Sequence, residues 1–148
     1  MPIPNFDENG FLPEGIHDCS LDEIVDRFGI FQTTDHRYRL CEQLQEFLTE
    51  IRSTNFVVAV IINGSFTTSK HVPNDVDLIV VLSKDHDFNA ELRPFEYNVL
   101  SRRRVRKRYS FDVLVARDNS IEYREYSDYF QQVRGQPENR KGVLRVQL

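Results

Sequence analysis

Apolar positions along this chain follow two different periods. Leu40, Leu44, Phe47, Leu48 and Ile51 recur at steps of four, three, one and three, a single stripe at helical period. They predict the main helix, opened by Thr33 or Thr34 and ended by Ser53 and Thr54. Phe56–Ile62 and Val76–Leu82 are short and dense in β-branched residues, the pattern of strands buried on both faces. Tyr109–Ala116 reads as a third strand and Gly142–Leu148 as a closing one. Ser20-Leu-Asp-Glu23 has the form of a capping box and predicts a short helix to Phe28, stopped by Gly29. Residues 89–104 predict a helix delayed by Pro94, with Phe95, Val99 and Leu92 inward. Tyr123, Tyr126, Tyr129, Phe130 and Val133 predict a last amphipathic helix. Residues 1–19, with Pro2, Pro4, Gly10, Pro13 and Gly15, predict an irregular arm held by Ile3, Phe6, Phe11 and Leu12. No repeat or linker divides the 148 residues, so one domain is expected, an α/β or α+β sandwich.

Composition adds little until charge is placed along the chain. There are 19 basic and 23 acidic residues, a formal charge of −4. Six of the basic ones fall within Arg102–Arg108, and the remaining 13 against 23 acids leave −10 elsewhere. Six Gly, six Pro and two Cys exclude collagen-like and disulfide-scaffold classes. Cys19 and Cys41 have no metal-ligand spacing and read as reduced thiols, one of them in the core. Met1-Pro-Ile-Pro-Asn-Phe-Asp-Glu8 lacks the basic start and apolar stretch of a targeting signal. The longest apolar run has seven residues, where a membrane span needs about 20. A cytoplasmic location and no membrane partner are expected.

Chemistry concentrates at the mouths of the strands. Asp75 and Asp77 flank one apolar residue, and residues i and i+2 of an extended chain share a face. Two anions against an apolar sheet are unfavourable unless a cation lies between them, and hard divalent ions suit carboxylate oxygens. Asp112 is a third carboxylate on the third strand. If that strand neighbours the second, Asp75, Asp77 and Asp112 can hold two cations about 3.5–4 Å apart, the geometry of two-metal phosphoryl transfer. For Asp75 and Asp77 a solvated strand end is the competing reading; Asp112, read as mid-strand between apolar neighbours, would be costly to bury unpaired. Gly64-Ser65, directly after the first strand, favours the chemical one: Gly lets backbone approach a phosphate, and a helix begun at Ser65 aims N–H groups and a hydroxyl at it.

A strand followed by Gly-Ser, then Asp-x-Asp, then a later strand Asp resembles the nucleotidyltransferase superfamily of the DNA-polymerase-beta type. Here the pieces are Asn63-Gly64-Ser65, Asp75-Val-Asp77 and Phe111-Asp112-Val113. They are similar to the minimal nucleotidyltransferases of bacterial toxin–antitoxin pairs, whose corresponding loop is slightly longer than the nine residues here. The chain also resembles an uncharacterised bacterial family of small nucleotidyltransferase-like proteins through Leu12-Pro13-x-Gly15, Arg27-Phe28-Gly29, Gly64-Ser65-Phe66-x-Thr68-x-Lys70 and Lys141-Gly142-Val143. The resemblance implies an α+β fold, a mixed sheet flanked by helices. It implies that Gly64 and Ser65 contact the triphosphate of an NTP such as ATP. Asp75, Asp77 and Asp112 would be the catalytic residues and Mg²⁺ ligands. The implied reaction moves a nucleoside monophosphate to a hydroxyl on a protein or RNA, in a toxin–antitoxin or defence setting.

The basic run Arg102-Arg-Arg-Val-Arg-Lys-Arg108 enters just before the Asp112 strand. It can offset a helix dipole, bind a polyanionic acceptor such as RNA or an acidic partner, or grip the leaving pyrophosphate, with Arg103 as its nucleotide-binding member. Lys70 and His71 lie between the motif halves, where they reach phosphates or solvent. His17, His36 and His86 have no zinc spacing. The closing strand is expected to be a sheet edge, open to a second copy and hence a homodimer, or to a partner. Two other readings compete with an enzyme: a catalytically weak nucleotide-binding or antitoxin-like interaction module, and an interaction domain whose carboxylates are structural.

Overall fold

The computed structural model describes residues 3–29, 35–70, 73, 75–87 and 93–148. Thr33, Thr34, His71 and Leu92 lie outside them, as does the side chain of Phe95. Five strands form one mixed sheet in the order β1-β5-β2-β3-β4: β1 is Gly15–Cys19, β2 Val57–Asn63, β3 Asp77–Leu82, β4 Asp112–Arg117 and β5 Gly142–Gln147. β1 runs parallel to β5 and β3 to β4, while β2 is antiparallel to both its neighbours. The helices are α1 (Leu21–Ile24, continued by a π-helical turn Val25–Gly29), α2 (Asp35–Arg52), α3 (Pro94–Leu100), α4 (Arg102–Tyr109) and α5 (Ile121–Phe130). The fold is α+β.

The predicted α2 stripe is buried as expected, packing with Val60, Ile62, Leu78, Val80, Val113, Leu144 and Val146 in the larger core. α1 starts on the predicted capping box: Ser20 accepts from the Glu23 backbone while Glu23 reaches back to the Ser20 N–H. The opposite face of the sheet presents Ala59, Ile61, Ile79, Val81, Ala116 and Val143, which pack with Phe130 of α5 and partly buried Tyr123 and Tyr126. α5, capped by Ser120, is the shorter cover by far. It starts just beyond Arg117 and runs back to Phe130, whose carbonyl meets Asn63 at the other end of the sheet.

Three expectations need correction. The arm is not irregular throughout, because Gly15–Cys19 is a strand paired residue for residue with Gly142–Val146. β5 is therefore an interior strand, and the sheet edges are β1 and β4; an edge-strand homodimer cannot use β5. Finally, the long helix and the third strand both shift. Ser101 ends α3 and caps α4 by accepting from the Arg104 N–H. Val105 and Tyr109, spaced i and i+4, are buried, so Tyr109 belongs to a helix and β4 starts only at Asp112. Ser110 turns the chain in the left-handed region (φ 63°). Tyr109 and Phe111 stack at 5.6 Å and both meet the Phe47 ring of α2 edge-on. Glu50 fixes this corner by accepting from the Tyr109 hydroxyl and Arg108, each at 2.6 Å.

No helix among the described residues is long and apolar enough to cross a membrane.

Candidate functional site

Register places the site. Asn63 of β2 pairs with Asp77 of β3, and Asp77 pairs with Asp112 of β4. Side chains alternate along each strand, and Ile61, Ile79 and Leu114 lie on the thinly covered face. Asn63, Asp77 and Asp112 therefore share that face as a polar row across three strands, about 10 Å wide at ordinary strand spacing. The row sits where α5 stops.

The Gly-Ser turn joins one end of this row to Asp75. Gly64 has φ 98° and ψ −177°, backbone open essentially to Gly alone, and a Cβ there would lie 2.6 Å from the Asp75 carbonyl oxygen. Ser65–Thr67 then forms one 3-10 turn. The Ser65 hydroxyl donates to Asp75 Oδ1, its backbone N–H donates to the same oxygen at 3.2 Å, and the Asp75 N–H donates to Ser65 Oγ at 3.2 Å. Phe66 N–H donates to the Asp75 carbonyl at 3.3 Å. Ser65 and Asp75 are thus interlocked.

Arg37 of α2 supports the same loop from beneath. Its guanidinium is fully buried and donates to the carbonyls of Phe66 (2.7 Å), Thr68 (2.6 Å) and Lys70 (2.5 Å). Burial lowers its pKa to about 10, still far above neutrality, so the clamp stays charged. The arm adds a further tie: Gly10 accepts from the Ser69 N–H at 2.9 Å.

Asp77 carries the electrostatic consequence of the arrangement. Burial, then the charges of Asp75 and Asp112, push its carboxyl up to about 6, with Lys141 opposing them. Lys141, just before β5, is itself held below its ordinary value by burial, against the pull of Asp77 and Asp75. A carboxylate cluster that resists its own ionisation is a fit for a hard cation by donor chemistry. Asp75 and Asp77 are the natural pair to hold it. Asp112 instead meets the Arg106 guanidinium of α4, and among the described residues no three His, Cys, Asp or Glu side chains form a ready-made metal cage.

Two cavities meet at this row. The larger, about 1190 Å³, is lined by Gly64, Ser65, Lys70, Asp75, Asp77 and Asn63, with Lys141, Tyr129 and the 132–137 loop opposite and Asn9–Phe11 of the arm as a third wall. Arg140 holds that rim together by bonding Glu14 at 2.5 Å and Asp128 at 2.6 Å. The smaller, about 410 Å³, is lined by Asp112, Val113, Arg102, Arg103 and Arg106. Arg103, the expected nucleotide-binding member of the basic run, therefore lies beside Asp112 and apart from the Ser65–Lys70 loop. Asn63 amide N–H donates to the Phe130 carbonyl at 3.1 Å. Its Oδ1 is buried with no partner among the described residues.

Gly64, Ser65, Lys70, Asp75 and Asp77 are brought together as the motifs suggested, with Asp112 next to them. Arg37, Asn63 and Lys141 were not singled out as site residues. Lys141 precedes the Gly-Val that opens β5, but only the sheet order reveals that β5 runs beside β2. Nothing in the spacing of Arg37 distinguishes it from a surface arginine of α2.

No curated protein and no solved structure matches this chain. Residues 4–147 match one protein family, described as a family of unknown function (DUF6932), and the chain belongs to it.

Proposed function

We propose that the protein is a Mg²⁺-dependent nucleotidyltransferase, moving a nucleoside monophosphate from an NTP to an acceptor hydroxyl on an RNA or protein. The observation that carries the proposal is the register pairing of Asp77 with Asp112, with Asp75 interlocked to Ser65 beside it. The larger cavity has room for a nucleotide. Gly64, Ser65 and Lys70 would bind its phosphates from one side and Lys141 from the other. Asp75 and Asp77 would hold Mg²⁺, which when bound neutralises phosphate charge and aligns the reacting oxygens. Asp112, half exposed at the mouth of β4, would orient the acceptor hydroxyl. A bond forms between the acceptor oxygen and the α-phosphorus, the bond from that phosphorus to the α–β bridging oxygen breaks, its electron pair leaves with pyrophosphate, and the hydroxyl proton passes to solvent water beside Asp112. Such catalysis rests on alignment and charge neutralisation, so few residues suffice.

The test is a titration with ATP, GTP, CTP and UTP, with and without Mg²⁺, followed by transfer of label from the α-phosphate to an acceptor in lysate. Metal-dependent binding and label transfer are expected, with transfer abolished in Asp75→Asn and Asp112→Asn. Transfer that survives Asp75→Asn would place the chemistry elsewhere. The Arg106–Asp112 ion pair favours a second reading, a nucleotide-binding or antitoxin-like interaction module with little catalysis. That reading expects Mg²⁺-dependent binding without transfer.

A further inference from the structure

We propose that the exposed side of α4 is a docking surface for a nucleic-acid strand, and that this strand is the acceptor whose hydroxyl reaches Asp112. The inference rests on the nucleotidyl-transfer reading and names its acceptor class.

α4 buries only Val105 and Tyr109, leaving Arg102, Arg103, Arg104, Arg106, Lys107 and Arg108 exposed. Helix stability does not account for all six. Arg106, Lys107 and Arg108 occupy the last turn, where cations favour the dipole. Arg102 and Arg103 open the first turn, which holds no acidic residue, and there the dipole opposes them. Cations kept where they weaken their own helix point to an anion from outside.

The position of these residues selects which anion. Across the sheet end the order is Gly64-Ser65 after β2, Asp77 on β3, Asp112 on β4, then the arginines. The cavity holding the Gly-Ser loop and the one holding Arg102, Arg103 and Arg106 share no lining residue. The arginines therefore stand on the acceptor side of the carboxylates, away from the donor phosphates and the pyrophosphate they release. A strand that brings a ribose hydroxyl to Asp112 carries a phosphate at every nucleotide, so it must lay phosphates beside Arg102 and Arg103. A peptide hydroxyl has no obligatory anion next to it. Five of the six cations are arginine, whose planar fork matches phosphate oxygens two at a time. The rest of the chain is net negative, which confines the attraction to this face.

The experiment measures fluorescence anisotropy of a short labelled RNA of mixed sequence, with polyglutamate of equal charge as the acidic-protein probe. Both are run over a salt series on the whole chain, on Arg102→Ala/Arg103→Ala, and on Arg124→Ala as an exposed control on α5. RNA affinity at low salt is expected to fall about tenfold or more in the double variant. Its log–log salt slope should be shallower by about 1.4, at about 0.7 per lost phosphate contact on a single strand. Arg124→Ala should match the parent, and the thermal midpoint of the double variant should not fall, since two unfavourable first-turn cations are gone. RNA binding within twofold of the parent would overturn the proposal. So would polyglutamate binding that is as tight and as sensitive to the substitutions, which would mark an acidic-protein surface instead. Asp75→Asn separates the two readings: it should lose Mg²⁺-NTP binding and keep RNA binding. RNA docking in a chain that binds no NTP would sink nucleotidyl transfer, and the acceptor assignment with it.

Discussion

Asp77 concentrates the conflict at the site, and its titration has a definite sign. In the fold its carboxyl titrates near 6 rather than at the ordinary 3.8, chiefly through burial. A raised carboxyl binds its proton more tightly folded than unfolded, so folding stability falls as pH rises between about 4 and 6. Asp77→Asn removes that loss. We expect the variant to be more stable than the parent by about 1–2 kcal/mol at pH 7.5, a figure discounted for partial exposure, and equal to it near pH 4. Urea melts at the two pH values check this, and a variant less stable at pH 7.5 would contradict the account. The motif residues were legible because Gly, Asp-x-Asp and a strand Asp are chemically conspicuous. Asn63 and Lys141 were not, because an asparagine at a strand end and a lysine in a loop acquire meaning only from neighbours on other strands.

Among elements, α2 does more than supply the core. Its apolar stripe was readable from period alone, but the same helix sends Arg37 under the Ser65–Lys70 loop. Arg37→Met would leave the buried Phe66 carbonyl and the part-buried Thr68 and Lys70 carbonyls without their shared donor. We expect a loss of about 3 kcal/mol in urea unfolding, only partly recovered in Arg37→Lys, whose single nitrogen cannot match the spread of the guanidinium's two terminal nitrogens. A loss below 1 kcal/mol for Arg37→Met would show that the loop holds itself. The α3–α4 break went unread for a local reason: Pro94 and an unbroken run of arginines mask Ser101, and a cap is recognisable only once the helix it starts is known. Tyr109 and Phe111 looked like strand residues by propensity. Packing against Phe47 overrode it.

On the scale of the whole molecule, alternating helices and strands were enough to expect a sheet sandwiched by helices, but not its order. β1 is short, with alternate positions exposed, so its five residues carry little apolar signal, and parallel pairing to a segment more than a hundred residues away leaves no local trace. Its removal is informative. Deleting residues 1–19 takes away β1 and buried Leu12 and opens the β5 edge, which should lower the thermal midpoint and produce concentration-dependent association by size-exclusion chromatography. A truncated chain whose association state and midpoint match those of the parent would mean β1 is ornamental.

The interior place of β5 has a further consequence, for the order of events during synthesis. A nascent chain that has yet to expose residues 142–147 cannot join β1 to β2, however much of α2, β3 and β4 has emerged. Lys141 arrives with the same segment, so the strand that closes the sheet also delivers a wall of the cavity. Chains stalled or clipped before this point would lack both together. Any reactivity of the carboxylate row is thereby confined to molecules in which residues 141–147 have joined the sheet.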